Sequence, residues 1–206
     1  SDVYKRQGFD STIQYIDYPC KIFGYYQSYK YVKELIQTRG QLSFALKEPS
    51  DWFKAMKNLI EQSSSSLGIH FRRGDYQNEG NKNNIGLLKT EYFINALNQV
   101  DPKSESDVFV FSDSPELAQE YLSKYLPADR TYFIHAPQGS PPIESLLLFS
   151  FCKIKILSNS SFSWWGAYMG KNQTRVLAPQ PWFKGFADPE FLLLDQWDTM
   201  ESIWQK

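Results

Sequence analysis

The chain has 206 residues, 42% of them hydrophobic, enough for one domain or two small ones around a buried core. Its 22 basic and 23 acidic residues leave a net charge of -1, which excludes a global electrostatic grip on nucleic acid or an anionic membrane, so any anion binding has to be local. No apolar run approaches a membrane span, the longest being "ESLLLFSFC", and the first residues lack the layout of a signal peptide.

Residues 1–7, "SDVYKRQ", read as the translation of a sequencing-library adapter and are set aside as a non-native segment; the natural chain is then expected to extend further upstream of Gly8. Two helices are predicted next, over Tyr26–Thr38 and Ser50–Gln62, separated by the short apolar piece Leu42–Leu46, with Gly40 ending the first helical pattern. The serine run from Gln62 to Ser66 is expected to be a hinge or domain boundary. From there, β-rich runs at Leu67–Phe71, Asp107–Phe111, Thr131–Ile134, Lys153–Leu157 and Arg175–Ala178 alternate with helical segments at Thr90–Val100, Pro115–Tyr125, Pro142–Phe151 and Phe162–Gly170. That alternation predicts an α/β fold, a parallel sheet wrapped by helices. Ser114 before Pro115 and Ser140 before Pro141 are expected to cap their helices. The acidic, aromatic tail Asp188–Trp204 is expected to pack back as a helix.

In such a sheet, ligands sit beyond the carboxyl ends of the strands. Three polar clusters fall there: His70 to Asp75 in "HFRRGD", Ser112-Asp113-Ser114, and Ser158 to Ser163 in "SNSSFS". Arginine offers a planar, permanently charged fork that matches phosphate oxygens in pairs, so Arg72 and Arg73 suit a diphosphate clamp; an internal Arg–Asp ion-pair network is the equal alternative. Neighbours in a strand point to opposite faces, so one arginine is expected on the phosphate while the other braces Asp75 or the acceptor side. Ser160, Ser161 and Ser163 could cap a helix whose N-terminus seats an anion. Asp113 reads as an acceptor for the N1–H and amino group of guanine or as a plain helix cap, His70 as a base or ribose contact or a satisfied strand residue, and Glu144 as facing a cleft or solvent at a helix start. At least one of Trp164 and Trp165 is expected in the core. Glycine-rich nucleotide loops, a Gly-x-Ser-x-Gly elbow and an Asp-x-Asp metal pair are absent from the sequence, and Cys20, Cys152, His70 and His135 show no zinc spacing. Asn159-Ser-Ser and Asn172-Gln-Thr match the glycosylation pattern by chance on this reading.

Together, "HFRRGDY", "FSDSPE" and "SNSSFSWWGAYM", with "GYYQSYKY" upstream and "APQPWF" downstream, resemble the α-1,2-fucosyltransferase family, glycosyltransferase family 11, over Tyr15 to Trp182. The resemblance implies a two-lobed GT-B fold. Residues 8–62 would be a remnant of the N-terminal, acceptor-side lobe, without the family's glycine-rich first turn, and residues 63–206 the Rossmann-like domain that binds GDP-fucose. It implies inverting transfer of L-fucose from GDP-fucose to a galactoside hydroxyl of a glycan acceptor, with no cofactor and no metal. By resemblance Arg72 contacts the β-phosphate, His70 and Asp113 the guanine, and Ser160 and Ser161 phosphate. Asp75 is the expected general base, with Glu79 and the missing lobe as alternatives. A bacterial, cytoplasmic setting is expected, with peripheral membrane association left open and no nucleic-acid partner. A sugar-nucleotide binder without catalysis and a protein displaying Arg73-Gly74-Asp75 for adhesion are the competing functions.

Overall fold

The structure is a computed structural model that describes residues 3–5, 8–23, 26–40, 44–100 and 106–206. It divides into two compact units, one of Ser1–Ala45 with Ala187–Gln196 and one of Leu46–Phe186 with Trp197–Lys206.

The smaller unit pairs β1 (Val3–Lys5) with β2 (Lys21–Phe23) in parallel, so the first strand lies inside the opening heptapeptide. Helix α1 (Tyr29–Arg39) starts at Ser28, whose hydroxyl accepts from Lys30 N, and ends at Gly40 with φ +85°. Phe191 closes over its first turn: its carbonyl accepts from Tyr29 N at 3.0 Å, and its ring lies 3.2 Å from the Lys30 ammonium. Of the piece expected over Leu42–Leu46, residues 42 and 43 lie outside the described residues, and residues 44–46 form no strand.

The larger unit carries α2 (Asp51–Gln62), β3 (Ser66–Phe71), a single turn α3 (Glu79–Asn81), α4 (Thr90–Val100), β4 (Asp107–Ser112), α5 (Pro115–Leu122), β5 (Thr131–Phe133), α6 (Pro142–Phe151), β6 (Ile154–Ile156), α7 (Ser161–Tyr168), β7 (Arg175–Gln180) and β8 (Asp198–Glu201). Six strands form one sheet in the order β5-β4-β3-β6-β7-β8, every neighbouring pair parallel. This is a Rossmann-like winding, and its order reverses between β3 and β6.

Strand β3 is buried along its whole length, and its alternation assigns its side chains to two layers. Leu67, Ile69 and Phe71 join Tyr92, Phe93, Ala96 and Leu97 of α4 and Ala118 and Leu122 of α5 in the core on one face. On the other face Gly68 leaves the space that α6 fills: a Cβ there would come within 2.9 Å of Cys152 Sγ and 3.0 Å of Phe149. Phe149 also presses on Gly166 of α7, where a Cβ would stand 2.5 Å from its ring, and it meets Phe111 edge-on at 5.3 Å. After its first turn helix α6 is mostly apolar because it packs against the sheet, α7 and α2, with Phe53 and Phe151 rings 6.4 Å apart.

Four expectations change here. Glu144 faces neither cleft nor solvent: it is 2% exposed, and its carboxylate accepts from Ser50 N at 2.8 Å and Ser50 Oγ at 2.7 Å while Ser50 Oγ caps α2 by accepting from Phe53 N. That clasp ties α2 to α6, so the unit boundary falls before Leu46 rather than in the serine run. Ser114 and Ser140 provide no side-chain cap; Ser112 Oγ accepts from Ser114 N instead, and Ser140 sits in a turn closed onto Pro137 O. The tail is not a helix. Its residues 198–201 add β8 to the free edge of β7, with Arg175 Nε 2.6 Å from Asp198 Oδ2 at the start of the pairing, because an edge strand's unpaired backbone groups offer the tail partners that a short amphipathic helix would have to find within itself.

Replacing Glu144 with alanine removes two buried acceptors and leaves Ser50 N–H without a partner, so urea unfolding is expected to show a loss of about 1–3 kcal/mol. A midpoint unchanged from wild type would show that the Ser50–Glu144 clasp does not stabilise the packing of α2.

Candidate functional site

The crevice at the switch point is lined by the loop after β3, the end of β4, and the loop between β6 and α7. The pleat of β3 continues into the loop and separates the two arginines as expected. Arg73 follows Phe71: its guanidinium lies 3.7 Å above the Phe71 ring and 5.8 Å from that of Tyr121, and the residue is only 2% exposed. Its Nη1 donates to Arg72 O, and its Nε and Nη2 have no partner among the described residues. Burial pulls its pKa down to about 10, with Tyr121 and Asp113 acting in the opposite sense, so it remains charged at neutral pH. It does not brace Asp75, as one expectation had it.

Asp75 belongs to Arg72. Arg72 stands between two carboxylates, its Nη2 on Asp75 Oδ1 and its Nη1 3.0 Å from Asp113 Oδ2, and it faces the Tyr76 ring at 5.2 Å. Asp113 is neither a helix cap nor a free acceptor: its second oxygen accepts from the backbone N–H of Arg73 at 2.9 Å. The close approach of loop and carboxylate requires Gly74, where φ is +22° and a Cβ would lie 1.9 Å from Asp113 Oδ2. With Arg73 buried, the Arg-Gly-Asp tripeptide is not displayed as a unit, which counts against the adhesion reading.

His70 is 3% exposed, stacked on Phe162 at 4.7 Å, with Nδ1 2.6 Å from Ser158 Oγ. Burial, with the nearby Arg72 charge second, drives its pKa down to about 3, so the imidazole is neutral. Ser160 is the N-cap of α7 and accepts from Phe162 N, and Ser161 is exposed on the first turn. Ser163 is fully buried and donates to Ser158 O and Ser160 O, so it closes the loop rather than facing a ligand, a correction to the expected triplet of serines. Trp164 is buried and stacked on Tyr168, while Trp165 is 36% exposed.

Two residues that the motifs did not single out join the halves of the crevice. Tyr76 donates from its phenol to Asn159 O at 3.2 Å, linking the loop after β3 to the loop after β6. Asn159 is 2% exposed and donates from Nδ2 to Ile85 O and Gly86 O, which also rules it out as a glycosylation acceptor. Tyr76 completes the quoted "HFRRGDY", so an aromatic beside an arginine pair was the available signal. Glu79, the alternative base, is exposed at the start of α3. Among the described residues, no three His, Cys, Asp or Glu side chains gather as a metal site, and no helix is long and apolar enough to cross a membrane.

Two variants probe this geometry. Gly74→Ala is expected to cost at least about 1 kcal/mol in chemical denaturation, and to cost less when Asp113 is already alanine, since the clash is with Asp113 Oδ2; equal costs in both backgrounds would rule out that contact as the cause. The unfolded chain takes up a proton on His70 near pH 6.5 and the folded chain only near pH 3, so the stability His70 contributes is complete above pH 6.5 and is lost as the pH falls across that interval. The stability gap between wild type and His70→Gln is expected to narrow from pH 7 to pH 4, and a constant gap would contradict a neutral buried imidazole.

The chain matches the family model "Glycosyl transferase family 11" over residues 5–200. It is 30% identical over 174 residues to an α-1,2-colitosyltransferase of Escherichia coli, covering 80% of this chain and 56% of that protein. It is 25% identical over 182 residues to the E. coli O-antigen biosynthesis glycosyltransferase WbnK, covering 85% and 59% respectively. Against a galactoside 2-α-L-fucosyltransferase of Caenorhabditis elegans the identity is 26% over 159 residues, 74% of this chain and 43% of the relative. The chain thus spans between two-fifths and three-fifths of the length of these relatives. A match running from residue 5 to residue 200, through each of the three clusters that line the crevice, places the chain in glycosyl transferase family 11.

Proposed function

We propose that this chain supplies the donor-binding part of a glycosyltransferase that moves L-fucose from GDP-fucose to a galactoside hydroxyl, with inversion and without a metal or other cofactor. The observation that carries the reading is Arg72, poised at the carboxyl end of the strand where the sheet order reverses, in a chain that belongs to glycosyl transferase family 11. The two-lobed GT-B arrangement and a cytoplasmic setting, possible for free thiols such as Cys20 and Cys152, belong to the same proposal.

In this reading Arg72 and the start of α7, with Ser160 and Ser161, take the diphosphate: a fixed cation together with the free N–H groups and dipole of a helix N-terminus. Arg73 adds positive charge from beneath the loop. His70 and Asp113 shape that wall through Ser158, Phe162 and the backbone of Arg73. The guanine contacts that the resemblance assigns to them would add to those bonds, since each Asp113 oxygen keeps a second lone pair.

The acceptor oxygen attacks fucose C1 from the face opposite the phosphate. Its proton passes to the Asp75 carboxylate, and the electron pair of the breaking C1–O bond leaves with GDP. Positive charge grows on the sugar ring while negative charge grows on the β-phosphate, where Arg72 is already in position and needs no reorganisation.

A second reading, transfer of colitose, has the 30% identity to the colitosyltransferase in its favour. Incubating the protein with a galactoside and either GDP-fucose or nucleotide-linked colitose, and following product by mass spectrometry, separates the two. GDP-fucose turnover is expected, with Arg72→Ala lowering it by at least about 10²-fold. Binding of GDP without turnover of either donor would instead identify a binder without catalysis, and full turnover by Arg72→Ala would overturn the role given to that residue.

A further inference from the structure

We propose that Asp75 is a displaceable stand-in for a donor phosphate: it occupies part of the Arg72 fork in the free protein, the diphosphate takes its place, and the carboxylate released by the exchange is the base that meets the acceptor. The proposal rests on the donor reading above.

The two carboxylates on Arg72 are not equivalent. Asp113 is anchored twice, to Arg72 Nη1 at 3.0 Å and to Arg73 N at 2.9 Å, and its side chain is 22% exposed. The Asp75 side chain is 55% exposed, and among the described residues its carboxylate bonds to Arg72 alone, through one oxygen. Its backbone is held separately, the carbonyl accepting from Asn78 N at 3.2 Å and Asn81 Nδ2 at 3.0 Å. Rotation of the side chain can therefore release Arg72 while the loop keeps its shape.

What that rotation uncovers is specific. Arg72 Nε is buried and has no partner among the described residues, Nη1 belongs to Asp113, and Nη2 is the atom that Asp75 covers. Nε–H and Nη2–H form one edge of the guanidinium, the edge that receives two oxygens of a phosphate side by side. Asp75 satisfies half of it and leaves the other half empty. A phosphate would satisfy both donors and carries more charge than one carboxylate. Tyr76, stacked at 5.2 Å and tethered to Asn159 O, keeps the guanidinium in place during the exchange. An exposed carboxylate–arginine pair contributes little by itself, so the exchange favours the incoming anion.

GDP titration calorimetry on the protein and its variants tests the exchange. Removing the competing carboxylate in Asp75→Asn or Asp75→Ser is expected to lower the GDP Kd by about two- to five-fold, while transfer falls by at least about 10²-fold. Asp113→Asn is expected to weaken GDP binding, because it loosens Arg72 and the Arg73 backbone together. A purely structural role for Asp75 would move binding and turnover in the same direction. The serine variant carries the test if the asparagine variant fails to fold. If wild type binds GDP and neither Asp75 variant binds it more tightly, the exchange is overturned and the donor reading stands. If wild type does not bind GDP, the donor reading falls and takes the exchange with it.

Discussion

The site depends on what one carboxylate does with its two oxygens. Asp113 accepts the backbone N–H of Arg73 on one and the guanidinium of Arg72 on the other, so a single side chain at the end of β4 fixes both the path of the loop after β3 and the direction of its outward arginine. The parallel register makes this possible: Phe71 lies opposite Ser112, so the next residues of each strand leave the sheet side by side. Gly74 then has to pass within van der Waals distance of that carboxylate, and only a residue without Cβ can. The energetic return is preorganisation more than stability, since partly exposed ion pairs contribute roughly 0–1 kcal/mol. A cation held in place before a charged ligand arrives loses little entropy on binding it.

The layer beneath the crevice follows from a second constraint, the room around Phe149. Gly68 in β3 and Gly166 in α7 both lack the side chain that would collide with its surroundings, so sheet, α6 and α7 close up around one aromatic ring. That closeness seals His70 between Phe162 and Ser158 and keeps it neutral. A charged imidazole there would add to Arg72 and Arg73 a third cation with no carboxylate of its own. A neutral one spends its polarity on Ser158 and lets the loop after β6 be positioned without further charge. Sequence, packing and electrostatics meet at this residue: a glycine two positions upstream in the strand decides how deep the histidine lies.

Legibility in the sequence followed the range of the interaction. Strand and helix alternation is local and periodic, and so is the rule that sends Arg72 and Arg73 to opposite faces; both were visible in the residues alone. Glu144 was not, because its local explanation as a first-turn acid was complete and its actual partner, Ser50, lies 94 residues upstream. The tail after Trp197 is a strand rather than the expected helix for a related reason: whether four residues form a strand is decided by the free edge of β7, which no window over the tail contains. Ser160 and Ser163 have the same chemistry and differ only in where the helix begins, a boundary that composition does not resolve to one residue. Tyr76 and Asn159 occupy polar loops without period, where only three-dimensional proximity reveals a tether.

Arg73 shows why such a site keeps a group that ordinary folding would disfavour. Two of its donors are buried without partners among the described residues, at a cost of about 1–3 kcal/mol each, and stacking on Phe71 returns about 0.5–2 kcal/mol. An arginine retained at a net cost, and still charged although burial has lowered its pKa to about 10, acts through its field rather than through contacts in the free protein. Water screens it poorly where it lies, so its charge reaches the mouth of the crevice more strongly than that of an exposed lysine would. Under the proposed function, Arg72 can then be covered by an internal carboxylate while the crevice keeps a positive potential from Arg73. The division between a buried arginine that supplies potential and a more exposed one that supplies contact concentrates positive charge at one loop of a chain of net charge -1, as the proposed diphosphate seat would require.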